Sequence, residues 1–272
     1  MSTNEPDVAP EGPGARESPR AEPGSGPVKA WPWFGRTRRL AVIGGLLAGL
    51  LAFAIGEAIY EMIPAEKVQQ DLMGTKIWTA NRATSTEAAR RNGALTFGVL
   101  GLCLGTCLGM AGGLARRSPS GAVTGALLGA VLGLALGAGV SWASISWFIM
   151  TRMDHIDYDL IISLMMHGLI WSLLGASAGL AFAVGLGEPW LCGRCLTAGF
   201  AGAVLGTVAF ELIGAVAFPM AETDEPISET WATRLMARLL VTVGTALIVI
   251  LLLPEPKPLA DAHQPADPAP QP

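Results

Sequence analysis

The chain has 272 residues, of which 51% are hydrophobic and 15% charged, and its formal net charge is -4. That balance holds no basic field, so nucleic acid is not an expected partner. The apolar residues are gathered into runs of about 20, the length that crosses a bilayer, and the expectation is an all-α integral membrane protein surrounded by lipid.

Residues 1–38 come first. Seven prolines fall within the first 37 positions, among glycine, glutamate and serine, and such a stretch cannot bury enough apolar surface to fold alone. It is too long for the leader of a secretory signal, and no small-residue cleavage site follows the first apolar run, so the first span is expected to remain as an anchor. The membrane domain is expected over residues 39–253, with spans at about 40–60, 93–115, 121–147, 161–187, 196–218 and 236–253. Residues 254–272, again with seven prolines, make a second disordered tail.

Between the first two spans lies the one substantial connection, residues 61–92. Val68, Leu72 and Ile77 stand near helical spacing there, but Gly74 and the polar run after it interrupt the face, leaving a surface helix and a solvated loop both open. Spans two, four and six are preceded by Thr84 with Glu87, by Asp154 with Asp157, and by Ser228 with Glu229, and carboxylates suit a helix N-terminus. Spans one, three and five follow polar or basic segments. The chain therefore reads as three helical hairpins.

In the third span a glycine stands at every fourth position: Gly121, Gly125, Gly129, Gly133 and Gly137. Gly101 and Gly105 in the second span and Gly175 and Gly179 in the fourth keep the same spacing. Glycine costs about 1 kcal/mol against alanine inside a helix, whereas in lipid it lets a neighbouring backbone approach closely. Tight helix packing is the expected role. Gly-Ala-Val-Leu-Gly occurs at 129–133 and again at 202–206, while Gly101, Gly105 and Gly113 match Gly175, Gly179 and Gly187 at nearly the same shift. Duplication of a hairpin and shared composition both account for this.

Tryptophans collect at membrane interfaces, and Trp31, Trp33, Trp142, Trp147, Trp190 and Trp231 flank the spans. Trp171 falls inside one and is expected to pack or to face lipid. Arg36, Arg38, Arg39, Arg116, Arg117 and Arg194 favour cytoplasmic tails, against Lys67, Lys76, Arg82, Arg90, Arg91, Arg152 and Arg234 on the other side. The expected location is a bacterial plasma membrane with both tails in the cytoplasm.

Four ionisable residues lie within the spans: Glu57, His167, Glu211 and Arg238. Charge in hydrocarbon costs roughly 2.5–3.5 kcal/mol per residue on insertion scales, which makes such residues candidates for an ion or proton site. Helical rise puts all four in the half of the bilayer away from the tails. Arg238 is the expected counter-charge of both glutamates, and a clamp that only holds helices together is the competing role.

Other chemistry is less well supported. Cys192 and Cys195 have dithiol spacing, and Cys103 and Cys107 lie one helical turn apart. No strand-helix pattern of a redox domain surrounds them, so packing is the expected role, with a thiol oxidoreductase as the minor alternative. Asp154, His155, Asp157 and Asp159 could hold a divalent cation, but an acidic helix cap explains them as well, and no metal is expected. Gly175-Ala-Ser177-Ala-Gly179 fits a nucleophile pattern that needs a strand-to-helix turn. Six spans with such a serine in the fourth resemble rhomboid intramembrane proteases, a resemblance that implies a histidine base on the sixth helix, and this sixth span has none.

No cofactor motif is present. The expected function is a non-enzymatic transporter or channel for a small ion or solute. The alternative is a structural or accessory subunit whose glycine faces bind another copy or other membrane proteins.

Overall fold

The structure, a computed structural model, describes residues 34–73, 75–154 and 159–254. Six helices are long and apolar enough to cross a membrane. They are α1 (Phe34–Ala58), α2 (Arg82–Ala115), α3 (Pro119–Asp154), α4 (Asp159–Leu186), α5 (Cys192–Ala217) and α6 (Trp231–Leu251), with two short strands, β1 (Lys67–Leu72) and β2 (Thr75–Ala80), between α1 and α2. Residues 1–33 and 255–272 of the tails, with Trp31 and Trp33, lie outside the described residues, as do His155 and Asp157 of the candidate cation site, whereas residues 34–38, expected in the disordered tail, form the first turn of α1.

The helices overrun the apolar runs, because a helix ends where its caps are and not where hydropathy falls. α2 starts at Arg82, not near 93. Asn81 is its N-cap: the Thr84 N–H donates to Asn81 Oδ1 at 2.9 Å, and the Asn81 N–H donates to Thr84 Oγ1 at 3.1 Å. Glu87, read from sequence as the capping partner of Thr84, instead accepts from Arg91 at 2.8 Å. Asn81→Ala is expected to cost about 1 kcal/mol and to speed amide exchange in the first turn of α2 while leaving the rest of the helix protected. α6 likewise starts at Trp231 with Thr230 as its cap, so Arg234 belongs to the helix.

The 61–92 connection holds a β-hairpin and, from Arg82 on, the first turns of α2. β1 and β2 pair antiparallel with Leu72 opposite Thr75, and Met73 in the turn takes φ 54°, the left-handed region that two-residue hairpin turns require.

Lipid removes the hydrophobic drive between spans, so close van der Waals packing must supply the association. α2 and α3 provide it by running antiparallel with glycine against glycine. A Cβ on Gly101 would strike the Gly133 carbonyl, one on Gly105 the Gly129 carbonyl, and one on Gly109 the Gly125 carbonyl; Gly137 meets the Phe97 carbonyl and Gly121 that of Gly185. Gly175 on α4 similarly meets Gly199 on α5, and Gly179 meets the Cys195 carbonyl. On α5, Gly202 and Gly206 then face the backbone of α6 at Gly244 and Leu240. The sequence repeat does not become a repeat of contacts. Carried across, the Gly101 and Gly133 pair would put Gly175 opposite Gly206, whereas Gly175 lies on Gly199 and Gly206 on a different helix.

α2 and α4 are the central helices, and α3 is the least enclosed. Val123, Leu127, Val131 and Leu134 are all exposed on α3, a stripe that suits lipid. The bundle core falls into two clusters. One, containing Leu104, Phe182, Leu186 and Val249, lies toward the start of α1 and the end of α6; the other, containing Phe97, Phe148, Met166, Trp171 and Phe210, lies toward the β-hairpin. At the first of these ends, Arg116 donates to the carbonyls of Leu186 and Gly187 and so closes the C-terminus of α4.

Candidate functional site

At the hairpin end meet the C-terminal parts of α1, α3 and α5 and the N-terminal parts of α2, α4 and α6. The four ionisable residues expected in the spans all come here, but they form two groups.

The first joins α1 to α6. Arg234 Nε and Nη2 donate to the two oxygens of Glu57 at 2.7 and 2.6 Å, a planar fork matched to a carboxylate. Arg234 Nη1 donates to the carbonyls of Ser228 and Glu229, and the guanidinium lies 3.8 Å over the Tyr60 ring. Arg238, one helical turn further on, reaches Glu57 more weakly, with Nη1 3.3 Å from Oε1 and 3.4 Å from the Phe53 carbonyl. Gly56 leaves room for that guanidinium. Arg234 is therefore the principal partner of Glu57, and Arg238 does not bond Glu211.

The second group joins α4 to α5. His167 Nδ1 is 2.6 Å from Glu211 Oε1, and Ser163 Oγ donates to the same oxygen at 2.9 Å. Ser163 and His167 are one turn apart on α4, so they face α5 together. His167 Nε2 is 3.4 Å from the Pro226 carbonyl. A carbonyl cannot donate, so that contact needs a proton on Nε2, and the proton shared with Glu211 then lies on the Nδ1 side. His167 and Glu211 are both nearly fully buried, with side chains 2% and 4% exposed. Trp171 stacks on His167 with ring centroids 4.9 Å apart, and Phe210 closes on both edge to face.

Between the groups lies a cavity of about 30 Å³ whose wall includes Thr96, His167, Trp171, Ser228, Arg234 and Arg238. On the other side of Pro226 and Ile227 is a wider cavity of about 270 Å³ lined by Tyr60, Glu61, Glu222, Glu225 and Glu229. Arg152 fixes this segment by donating to Asp224 at 2.6 Å and to Glu225 at 2.5 Å. Burial pushes the Glu225 carboxyl up, against the pull of Arg152. Burial and the neighbouring Glu61 carboxylate push the Tyr60 hydroxyl up.

Arg234, Ser163 and Trp171 belong to the site and were not expected in it from sequence. Arg234 was set outside a span begun at 236, and Ser163 carries no charge to draw notice, although its spacing of four from His167 was available. Cys107, Cys192 and Cys195 lie elsewhere, and Cys103 packs in the same cluster as Trp171 and Phe210. All four are free; Cys195 is buried at the start of α5 and Cys192 half-buried. Ser177 lies within α4 and donates to the Leu174 carbonyl at 2.8 Å, with no strand-to-helix turn about it. Among the described residues no group of three or more His, Cys, Asp or Glu is placed to hold a metal ion.

No family model matches this chain, and no curated protein or solved structure matches it.

Proposed function

We propose that this is a non-enzymatic membrane protein that moves a small ion or solute through the polar site at the hairpin end, with a proton carried by the His167 and Glu211 pair. The observation that carries the reading is the cavity itself. His167 on α4 and Arg234 and Arg238 on α6 line one small space, with Glu211 on α5 and Glu57 on α1 bonded to them, whereas residues needed only to tie two helices together have no reason to enclose one. In this reading both tails face the cytoplasm, and the β-hairpin and the acidic outer cavity face the opposite side. The cysteines serve as packing residues, and no catalytic step is assigned to them.

The test is proton flux into proteoliposomes carrying an internal pH-sensitive dye. Wild-type protein is expected to dissipate an imposed pH gradient, and Glu211→Gln, which keeps the shape but cannot exchange a proton, to slow it at least about tenfold, or about 1.4 kcal/mol, with thermal stability close to wild type. Flux unchanged in Glu211→Gln would remove the pair from the path.

The exposed α3 stripe favours a second reading, an accessory subunit that presents this face to another copy or another membrane protein. Inert wild-type vesicles, with loss of stability as the sole effect of changes at Glu57 and Glu211, would favour it.

A further inference from the structure

The residues lining the small inner cavity include hydrogen-bond donors that are unpaired or only weakly paired. Trp171 Nε1 is buried without a partner, and an orphaned donor of this kind costs about 1–3 kcal/mol. Arg238 spends only Nη1, on Glu57 and Phe53, so Nε and Nη2 of a guanidinium that is 5% exposed make no hydrogen bond among the described residues. His167 Nε2 has only the long contact to Pro226. All three residues line the same space. What would satisfy them is an acceptor.

Charge narrows the choice. Arg234 and Arg238 face one carboxylate, Glu57, and His167 faces another, Glu211. When the histidine pair holds its extra proton, three positive groups stand against two negative ones and the site carries one positive charge in excess. Water would accept from the indole but leave that excess in place. Size narrows it further. At roughly 10–15 Å³ for each water-sized occupant, about 30 Å³ suits two or three such atoms, which admits a halide or formate and leaves no room for phosphate.

Resting on the transport reading above, we propose that the inner cavity binds a small monovalent anion, held by Arg238, Trp171 and protonated His167, so that the anion enters together with a proton. The ionisable groups at or bonded to the cavity wall are His167 on α4 with Glu211 on α5, and Arg234 and Arg238 on α6 with Glu57 on α1, while Cys103 on α2 acts on Arg238. In the segment between α5 and α6, Glu225 and Glu229 lie beyond Pro226. Those outer carboxylates oppose multiply charged anions most strongly, which agrees with a single charge inside.

The experiment is calorimetric titration of the purified full chain with sodium bromide, replacing gluconate at constant ionic strength. Saturable binding in the range of about 1–10 mM is expected. Trp171→Phe keeps the ring and removes only the indole donor; it is expected to weaken bromide at least about fivefold with unchanged helical content. No saturable heat up to about 100 mM, or wild-type affinity in Trp171→Phe, would overturn the anion site. Proton flux in gluconate-only and bromide vesicles separates this from the transport reading. Equal flux in both, with no bromide binding, leaves the proton path and removes the anion. Bromide binding with no flux in either leaves the anion and removes transport.

Discussion

Gly129→Leu is expected to break the α2 and α3 interface and to lower stability by at least about 3 kcal/mol, the upper end of ordinary overpacking. The Cβ alone would fall on the Gly105 carbonyl, and the nearest atoms there are all backbone. A flexible side chain can turn aside; a helix backbone cannot. Relief therefore requires the two helices to separate along their length, which strips contact from the neighbouring pairs at Gly101 with Gly133 and Gly109 with Gly125 as well. Gly139 on the same helix is the internal control, since a Cβ there meets nothing within 4 Å. Gly139→Leu carries the same change in helix propensity and lipophilicity. Thermal unfolding in detergent, followed by helical ellipticity, should show a large loss for Gly129→Leu and little change for Gly139→Leu. Equal melting of the two variants would show that close backbone approach does not hold this bundle together.

Arg234→Ala is expected to be the most damaging change at the polar site, ahead of Arg238→Ala. Removing one partner of a buried ion pair typically costs about 3–5 kcal/mol, because the remaining charge is left uncompensated. Here the lower end applies, since the Glu57 side chain keeps 26% of its surface exposed and water can partly compensate. Arg234 also satisfies the carbonyls of Ser228 and Glu229, so its loss should free the segment that separates the two cavities. Arg238→Ala removes a longer and poorer contact with Glu57, and its expected cost is about 1–2 kcal/mol. Arg234→Lys keeps the charge and loses the fork, and should fall between. A double-mutant cycle with Glu57→Gln separates the pair from the carbonyl contacts: a coupling energy below about 0.5 kcal/mol would show that the fork contributes nothing net. Greater loss in Arg238→Ala would return the principal counter-charge to Arg238, as the apolar pattern alone suggests.

The ranking of those two arginines shows what a hydropathy pattern misses. A span begun at 236 keeps Arg238 and discards Arg234, because charges are expensive in lipid. Yet Arg234 faces Glu57 and two carbonyls, not lipid, and α6 runs back to its cap at Thr230. Burial inside protein and burial in hydrocarbon have different costs, and a linear window does not tell them apart.

Six membrane spans were legible from the chain alone, since length and apolar content are local properties and a bilayer demands about 20 such residues in a row. The fourfold glycine spacing was equally visible, because 3.6 residues per turn brings every fourth position near one face. Tertiary structure decided the rest. A ladder of identical residues at equal spacing admits several registers, each offset by one turn, and only side-chain fit along both helices selects Gly101 on Gly133. The β-hairpin escaped notice because no Asn-Gly or Asp-Gly signal stands between Leu72 and Thr75 in the sequence, and because its strands carry mixed polarity. The division of four ionisable residues into two pairs was also out of reach. Glu57 and Arg234 stand 177 positions apart, and depth along a helix says how far a residue lies from the membrane surface but not which way around the helix it points.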